Sequence, residues 1–316
     1  MRKQSKDSGN SYVEPKILVI GSTNIDMIMS LPKLPSVGET VTDGKFLQTF
    51  GGKGANQAIA AARAGGRVSF MTCVGDDDGG RAVMAYLAKD GLDLSLSLIA
   101  PDQPTGAALV MFDSHGENYL AVAPGSNYSL RPHHIEAIAA RFAEFSMLVL
   151  QFEIPADTLR AAFEAASAHG VPVLYNHAPA RASEIPVAGK IALVVNELEA
   201  SALIARTVSS REDAFAAARE LRKRGFEFVI VTLGSGGSCV ETAGEQFHVP
   251  AIPSEAVDTT AAGDTYCGAL AVALVGGRSM REAVKFATAA AAICVRRTGA
   301  QPSIPLLAEF ESLIEA

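Results

Sequence analysis

Six short apolar runs, rich in β-branched residues, alternate along this chain with longer alanine-rich segments. The runs are continuous instead of alternating with polar residues, which is typical of strands with both faces buried. They stand at 17–21, 70–75, 147–152, 171–176, 191–196 and 228–234. Proline and glycine mark helix limits between them: Pro155 and Gly170 bound one segment, and Gly225 ends 210–224. The pattern predicts an α/β fold with a mostly parallel sheet between helices.

Two further regions predict a smaller second sheet. The segments 105–112 and 117–123 flank the turn-like stretch 113–116, which indicates a β-hairpin. Residues 26–50 are also strand-like, with no helical pattern before Gly51. We expect these segments to pair and to form a lid over the strand ends.

Length and charge limit the architecture and the partners. The 316 residues allow two domains or one large α/β domain. We expect a flexible extension over 1–14, then one α/β core over 15–316 with lid insertions at about 26–50 and 103–125. The formal net charge of −7 argues against nucleic acid or a membrane surface as partner. No uninterrupted apolar stretch reaches the length of a transmembrane helix.

The four cysteines predict a reducing environment. They stand far apart without a Cys-x-x-Cys pair, which argues against a zinc site or a disulfide framework: Cys73, Cys239, Cys267 and Cys294. We expect buried thiols and a cytoplasmic protein. Neither a G-x-x-x-x-G-K-[ST] loop nor a G-x-G-x-x-G turn after the first strand is present, so P-loop and dinucleotide sites are not supported.

The segment 258–264, Asp-Thr-Thr-Ala-Ala-Gly-Asp, directly precedes a predicted helix over 265–276. Small residues at 261–263 let backbone amides approach an anion at the positive end of that helix. Asp264 would lie beside the anion, where a carboxylate is favourable if it accepts a proton from a group attacking a phosphate. An aspartate that only stabilises the helix terminus is the alternative.

A second glycine cluster, at 51–54, precedes a predicted helix over 55–64. Lys53 and Asn56 offer donors to hydroxyls or phosphate there, although a plain strand-to-helix turn is the alternative. Asn24 and Asp26, two apart after the first strand, suit paired hydroxyl recognition as in a sugar, unless they form an Asx turn.

Three more polar segments follow predicted strands, at the edge where open α/β sheets bind ligands. Each one by itself fits an ordinary cap or turn, but their shared position favours a site: Glu153, Asn196 with Glu199, and 232–237 (Thr-Leu-Gly-Ser-Gly-Gly).

Together with Gly299-Ala300-Gln301-Pro302-Ser303, these motifs resemble those of the ribokinase-like (PfkB) carbohydrate kinases, and the resemblance covers about residues 15–310. It implies a three-layer α/β/α sandwich with a small β-sheet lid. It also implies a catalytic base at Asp264 and an anion hole formed by the amides of Ala261, Ala262 and Gly263.

The resemblance implies four sets of ligand contacts. The sugar contacts are Asn24, Asp26, Gly52, Lys53, Asn56, Glu153 and Asp264. The nucleotide contacts are Asn196, Thr232, Gly234, Ser235, Gly236, Gly237 and Gly263. Glu199 would organise Mg²⁺ through water. A potassium ion would be held, mainly by backbone oxygens, at Asp258, Thr260, Cys294, Arg297, Gly299 and Ser303.

The activity implied is transfer of the ATP γ-phosphoryl group to the 5-hydroxyl of D-ribose, with Mg²⁺ and K⁺ as activators. Deoxyribose, fructose or a nucleoside is the alternative acceptor. A non-catalytic sugar sensor is a rival hypothesis, which the intact Asp264 segment disfavours. The apolar hairpin residues Leu109, Met111, Leu120 and Val122 favour a homodimer formed through the lid strands.

Overall fold

The computed structural model describes residues 15–113, 115, 118–181 and 189–314. The predicted extension over 1–14 and residues 114 and 116 of the predicted hairpin turn therefore lie outside the described residues. The strands are β1 Lys16–Ile20, β2 Asn24–Ser30, β3 Lys45–Gly51, β4 Arg67–Met71, β5 Cys73–Gly75, β6 Leu98–Ala100, β7 Gly106–Phe112, β8 Asn118–Ala123, β9 Met147–Gln151, β10 Val173–Asn176, β11 Ile191–Asn196, β12 Phe228–Thr232, β13 Ser238–Glu241 and β14 Gln246–Val249.

The α-helices include those predicted over 55–64, over 210–224 and between Pro155 and Gly170, with limits that differ by one or two residues. They are α1 Lys53–Arg63, α2 Asp78–Lys89, α3 Pro132–Ala137, α4 Ala156–Ala168, α5 Glu197–Ile204, α6 Arg211–Lys223, α7 Ala262–Val275, α8 Met280–Cys294 and α9 Leu307–Phe310. The predicted start of one helix at residue 265 is wrong, since α7 already begins at Ala262.

An eight-stranded sheet forms the centre, in the order β14-β13-β12-β11-β10-β9-β1-β4. Neighbouring strands pair in parallel except for β12 with β13 and β13 with β14, because β13 runs in the opposite direction. The predicted mostly parallel sheet is confirmed. Apolar side chains of α1, α2, α7 and α8 pack on one face. Those of α3, α4, α5 and α6 pack on the other. Burial of both faces explains why the strands are continuous apolar runs.

The run 70–75 does not form one strand, and that prediction is wrong. The chain leaves the large sheet at Thr72, and β5 pairs with β6 in a separate two-stranded sheet. The Thr72 carbonyl accepts from the Leu98 amide at 2.8 Å, and the Thr72 hydroxyl bonds that of Thr23 at 2.9 Å. A buried polar residue with these partners interrupts the apolar run.

The predicted second sheet is present, in the order β3-β2-β7-β8. Strand β2 leaves directly from the end of β1, and β7 and β8 form the predicted antiparallel hairpin. The lid sheet thus continues from the carboxyl edge of the large sheet, where β1 ends.

The predicted burial of the cysteines is confirmed: all four are buried free thiols. Within the described ranges, no cluster of three or more His, Cys, Asp or Glu side chains is placed to hold a metal ion. None of the helices described above is long and apolar enough to cross a membrane.

Candidate active site

Helices α1 and α7 both begin at the carboxyl edge of the large sheet, and their first turns lie beside each other. Gly52 precedes α1 with a φ of 89°, a conformation that favours glycine. A Cβ there would lie 2.8 Å from the Thr23 Cα and 2.9 Å from the Asn24 amide nitrogen. The glycine therefore allows α1 to start against the turn that follows β1, which places Lys53 and Asn56 at this edge.

Asp264 lies in the first turn of α7 and is 6% exposed. Its Oδ2 accepts from the Asn56 amide at 2.9 Å, and its Oδ1 accepts from the Gln57 amide at 2.9 Å. Both donors belong to α1 and not to the terminus of α7, so Asp264 does more than cap its own helix. The structure thus joins the two glycine-rich segments into one site.

The predicted anion hole surrounds the start of α7. Ala261 adopts a left-handed conformation with a φ of 59°, which turns the chain sharply into the helix. A Cβ added to Gly263 would meet no atom within 4 Å, so the space beside this residue is open. The Ala262 amide donates to the Thr259 carbonyl at 3.2 Å, which leaves the hole with one amide already engaged.

The predicted sugar residues of β2 lie at the base of the lid. The Asn24 side-chain oxygen Oδ1 accepts from the Asn127 side-chain Nδ2 at 2.8 Å, so this acceptor of Asn24 is already used. Asp26 fills space left by Gly51, where a Cβ would overlap its carboxylate. The pair is therefore not a simple Asx turn, since its partners come from distant segments.

Several carboxylates converge on Lys53. Burial, together with the neighbouring charges of Glu153 and Asp264, raises the pKa of Asp26 to about 7. Burial acts to lower the pKa of Lys53, but the carboxylates of Asp264, Glu153 and Glu199 outweigh it and raise the pKa above its ordinary value. Lys53 is therefore a cation among mutually repelling acids.

Glu153, after β9, holds the start of α1. Its Oε2 accepts from the Ser22 hydroxyl at 2.5 Å and from the Lys53 backbone amide at 3.0 Å. This carboxylate positions the glycine-rich turn in addition to facing the site.

Asn196 and Glu199 form a reciprocal cap at the start of α5. The Asn196 side chain accepts from the Glu199 amide at 2.9 Å, and the Glu199 carboxylate accepts from the Asn196 amide at 2.8 Å. The ordinary-cap alternative is therefore true of both residues. Burial raises the pKa of Glu199 to about 7.

The predicted nucleotide loop follows β12, whose last residue, Thr232, pairs in register with Asn196. Gly234 and Gly237 have φ values of 51° and 88°, so the turn requires glycine at both. The Gly236 carbonyl contacts the His248 ring at 2.6 Å. Ser235 is the middle residue of the short 3₁₀ turn Gly234–Gly236. This loop is level with Asn196 at the same sheet edge.

Most of the predicted cation-site residues lie together behind α7. The Asp258 carboxylate accepts from the Thr260 amide at 2.9 Å and from the Gly299 amide at 2.8 Å. Burial acts to raise the pKa of Asp258, but these hydrogen bonds outweigh it and lower the pKa. Cys294 and Ser303 meet through side chains at 3.1 Å.

Two side chains of this group have other contacts. Burial raises the pKa of Cys294, which favours the neutral thiol over the thiolate. The Arg297 guanidinium pairs with Glu309 at 2.5 Å, so its side chain is engaged outside the predicted cation site.

Sequence reasoning assigned no role to three buried amides that contact one another beneath Asp264: Gln57, Gln151 and Asn176. Gln151 and Asn176 each end a buried apolar run, and a polar side chain at that place was the available signal. Asn127, which bonds Asn24, was also missed, because nothing in its local sequence marks it.

Comparisons with known proteins agree with this geometry. Residues 14–307 match the family model described as pfkB family carbohydrate kinase. The chain is 38% identical to a ribokinase of Schizosaccharomyces pombe over 93% of this chain and 96% of the relative. It is 34% identical to a deoxyribokinase of Salmonella typhi, over 94% and 98%. An Arabidopsis thaliana ribokinase structure, complexed with ribose and ATP, superposes with a TM-score of 0.87 at 32% identity, covering 96% of this chain and 99% of that one.

Proposed function

Because this chain belongs to the pfkB family of carbohydrate kinases, we propose that it transfers the γ-phosphoryl group of ATP to the 5-hydroxyl of D-ribose. The observation that carries the proposal is the buried Asp264 carboxylate, held by two α1 amides at the N-terminus of α7. A general base and an anion-binding helix terminus stand side by side there.

Asp264 accepts the proton of the attacking sugar hydroxyl. As it does so, the hydroxyl oxygen forms a bond to the γ-phosphorus, and the bond from that phosphorus to the ADP oxygen breaks. The amides of Ala261 and Gly263 stabilise the charge on the phosphoryl oxygens, and the Ala262 amide joins them once it releases the Thr259 carbonyl. The lid sheet, which carries Asp26 over the site, excludes water that would compete as acceptor. The protein's contribution is thus mainly positioning and charge stabilisation.

The sugar would lie between β2 and the start of α1. The buried Oδ1 of Asn56 has no hydrogen-bond partner within the described ranges, so it is available to accept from a hydroxyl. Lys53 offers a charged donor, and Asp26, Asn24 and Glu153 surround the same space. Such directed pairing of each hydroxyl favours a small polyol-like ligand.

ATP would lie over the Thr232–Gly237 loop beside Asn196, with its terminal phosphates at α7. Mg²⁺ usually keeps several waters and one or two carboxylates, and the buried Glu199 carboxylate fits that requirement. When bound, Mg²⁺ neutralises charge on the transferred phosphates.

The residues around Asp258 fit a monovalent cation. The Asp258 carboxylate, whose pKa is lowered, accepts from the Thr260 and Gly299 backbone amides, so both backbones lie beside it. The carbonyl oxygens of these two residues are candidate ligands for the ion. A potassium ion there would supply a fixed positive charge next to the anion hole.

A homodimer through the lids follows from the exposed residues of the lid sheet. Met27, Phe46, Leu109 and Tyr119 share one face in the strand register and are exposed. Leu47, Leu120 and Val122 are exposed on the opposite face, which carries Asp26. A second copy of the chain would bury the apolar face turned away from the site.

The acceptor is tested by measuring kcat/KM for ribose, 2-deoxyribose, fructose and a nucleoside with saturating MgATP and K⁺. Loss of one paired hydroxyl should cost deoxyribose about 5- to 150-fold relative to ribose. A tenfold preference for another acceptor would overturn the assignment of ribose as substrate but not the assignment of kinase activity. The similarity to a deoxyribokinase makes 2-deoxyribose the second candidate.

The base is tested with Asp264→Asn, which keeps the shape and should lower kcat at least about 100-fold. Near-normal turnover would contradict the assignment. Sugar binding without ATP consumption in the unmodified protein would favour the sensor hypothesis.

A further inference from the structure

Three buried amide side chains form a continuous chain of hydrogen bonds that ends on Asp264. Gln57 Nε2 donates to Asp264 Oδ1 at 2.9 Å and to Asn176 Oδ1 at 3.1 Å. Gln57 Oε1 accepts from Gln151 Nε2 at 2.7 Å. Both side-chain N–H groups of Gln57 and its side-chain oxygen therefore have hydrogen-bond partners.

This pattern permits one orientation of the Gln57 amide. Rotating the amide by half a turn would place its oxygen against Asp264 Oδ1 and Asn176 Oδ1, and its nitrogen against the Gln151 donor. Acceptors would then face acceptors in a site without exposed surface, since Gln57 and Gln151 are fully buried. The arrangement is therefore fixed by the partners of Gln57.

Those partners are held by the sheet. Gln151 and Asn176 are paired in register on the adjacent strands β9 and β10, so their side chains point to the same face, toward α1. The Asn176 amide donates to the Val194 carbonyl at 3.0 Å, which turns its oxygen toward Gln57. A Cβ at Gly21 would overlap Gln151 Oε1, so the glycine after β1 provides the space for this side chain.

We propose that Gln57 is a positioning residue that fixes the Asp264 carboxylate for proton abstraction, and that Gln151 and Asn176 act only by fixing Gln57. The proposal rests on the proposed role of Asp264 as base. It assigns a catalytic consequence to residues that are not among the proposed sugar and nucleotide contacts. The rigid sheet, and not the α7 loop, would set the direction of the carboxylate.

The test compares Gln57→Met, Gln151→Met and the double variant, because methionine keeps the side-chain volume but donates no hydrogen bond. Gln57→Met should lower kcat about 10- to 100-fold, the effect of losing a hydrogen bond to a charged group, while KM for sugar and ATP changes less than about threefold. Gln151→Met should have a smaller effect of the same kind. The double variant should match Gln57→Met, since Gln151 acts through Gln57.

Thr158→Val is the matched control for loss of a buried polar contact, because its hydroxyl bonds the Leu130 carbonyl on the far face of the sheet. It should leave kcat unchanged. If thermal unfolding shows that Gln57→Met does not fold, the kcat of Gln151→Met alone tests the proposal, because this variant keeps Gln57 in contact with Asp264.

Unchanged kcat in folded Gln57→Met, or independent additive effects in the double variant, would overturn the proposal. Asp264→Asn separates the two hypotheses. If Asp264→Asn is inactive while Gln57→Met is normal, only the positioning role fails. If Asp264→Asn turns over normally, the proposed base fails.

Discussion

Replacing Asp26 by asparagine should stabilise the ligand-free protein more at pH 8 than at pH 5. Burial, together with the charges of Glu153 and Asp264, raises the pKa of this carboxyl from 3.8 to about 7. Between those values the folded protein keeps a proton on Asp26 that the unfolded chain releases. The stability associated with Asp26 is therefore full below about pH 4 and is lost as the pH rises through 7.

The magnitude follows from the interval between pH 5 and the raised pKa. Each pH unit corresponds to ~1.4 kcal/mol, which gives ~3 kcal/mol for a fully desolvated group. Solvent contact of the partly exposed side chain reduces this to about 1–2 kcal/mol. Asparagine has nearly the same shape and does not titrate. The free energy of unfolding of the Asp26→Asn variant, relative to that of the unmodified protein, should therefore rise by that amount from pH 5 to pH 8.

The assay is urea unfolding of both proteins at pH 5, 6, 7 and 8 without ligands. Burial lowers the pKa of His177, which changes stability in the opposite direction, but this contribution is common to both proteins and cancels. Asp43→Asn, which makes the same substitution at an exposed lid position, is the matched control. Parallel curves for Asp26→Asn and the unmodified protein would refute the reasoning.

Three further outcomes are expected. Exchanging K⁺ for Na⁺ or a bulky organic cation at constant ionic strength should lower kcat/KM, because a cation beside Asp258 would order the 261–263 amides; equal values across the series contradict this. Light scattering should show a dimer, which Leu109→Lys should convert to a monomer of about 32.9 kDa, whereas Ile99→Lys, at a residue exposed outside the lid sheet, should leave the dimer intact. A monomeric unmodified protein would argue against the lid interface. Gly51→Ala should displace the Asp26 carboxylate and raise the sugar KM about tenfold with little loss of stability, and an unchanged KM would show that Asp26 does not hold the sugar.

The sequence alone was enough to predict the layers of this fold. Continuous apolar runs require burial on both faces, and helices with proline and glycine limits lie between them, so a parallel sheet covered on both sides follows. The lid sheet was predictable for a related reason, since two strand-like segments without helices need partners. These features depend on local periodicity, which the order of residues contains directly.

The tertiary structure decided where the strands end and where polar side chains point. The break at Thr72 depends on Thr23 and Leu98, and the direction of the Asn56 amide depends on Asp264. Gln57 lies 207 positions from Asp264 and 94 from Gln151, yet contacts both. A hydrogen bond needs its two atoms within about 3 Å, and only the register of β9 with β10 and the packing of α1 on the sheet bring such distant residues that close.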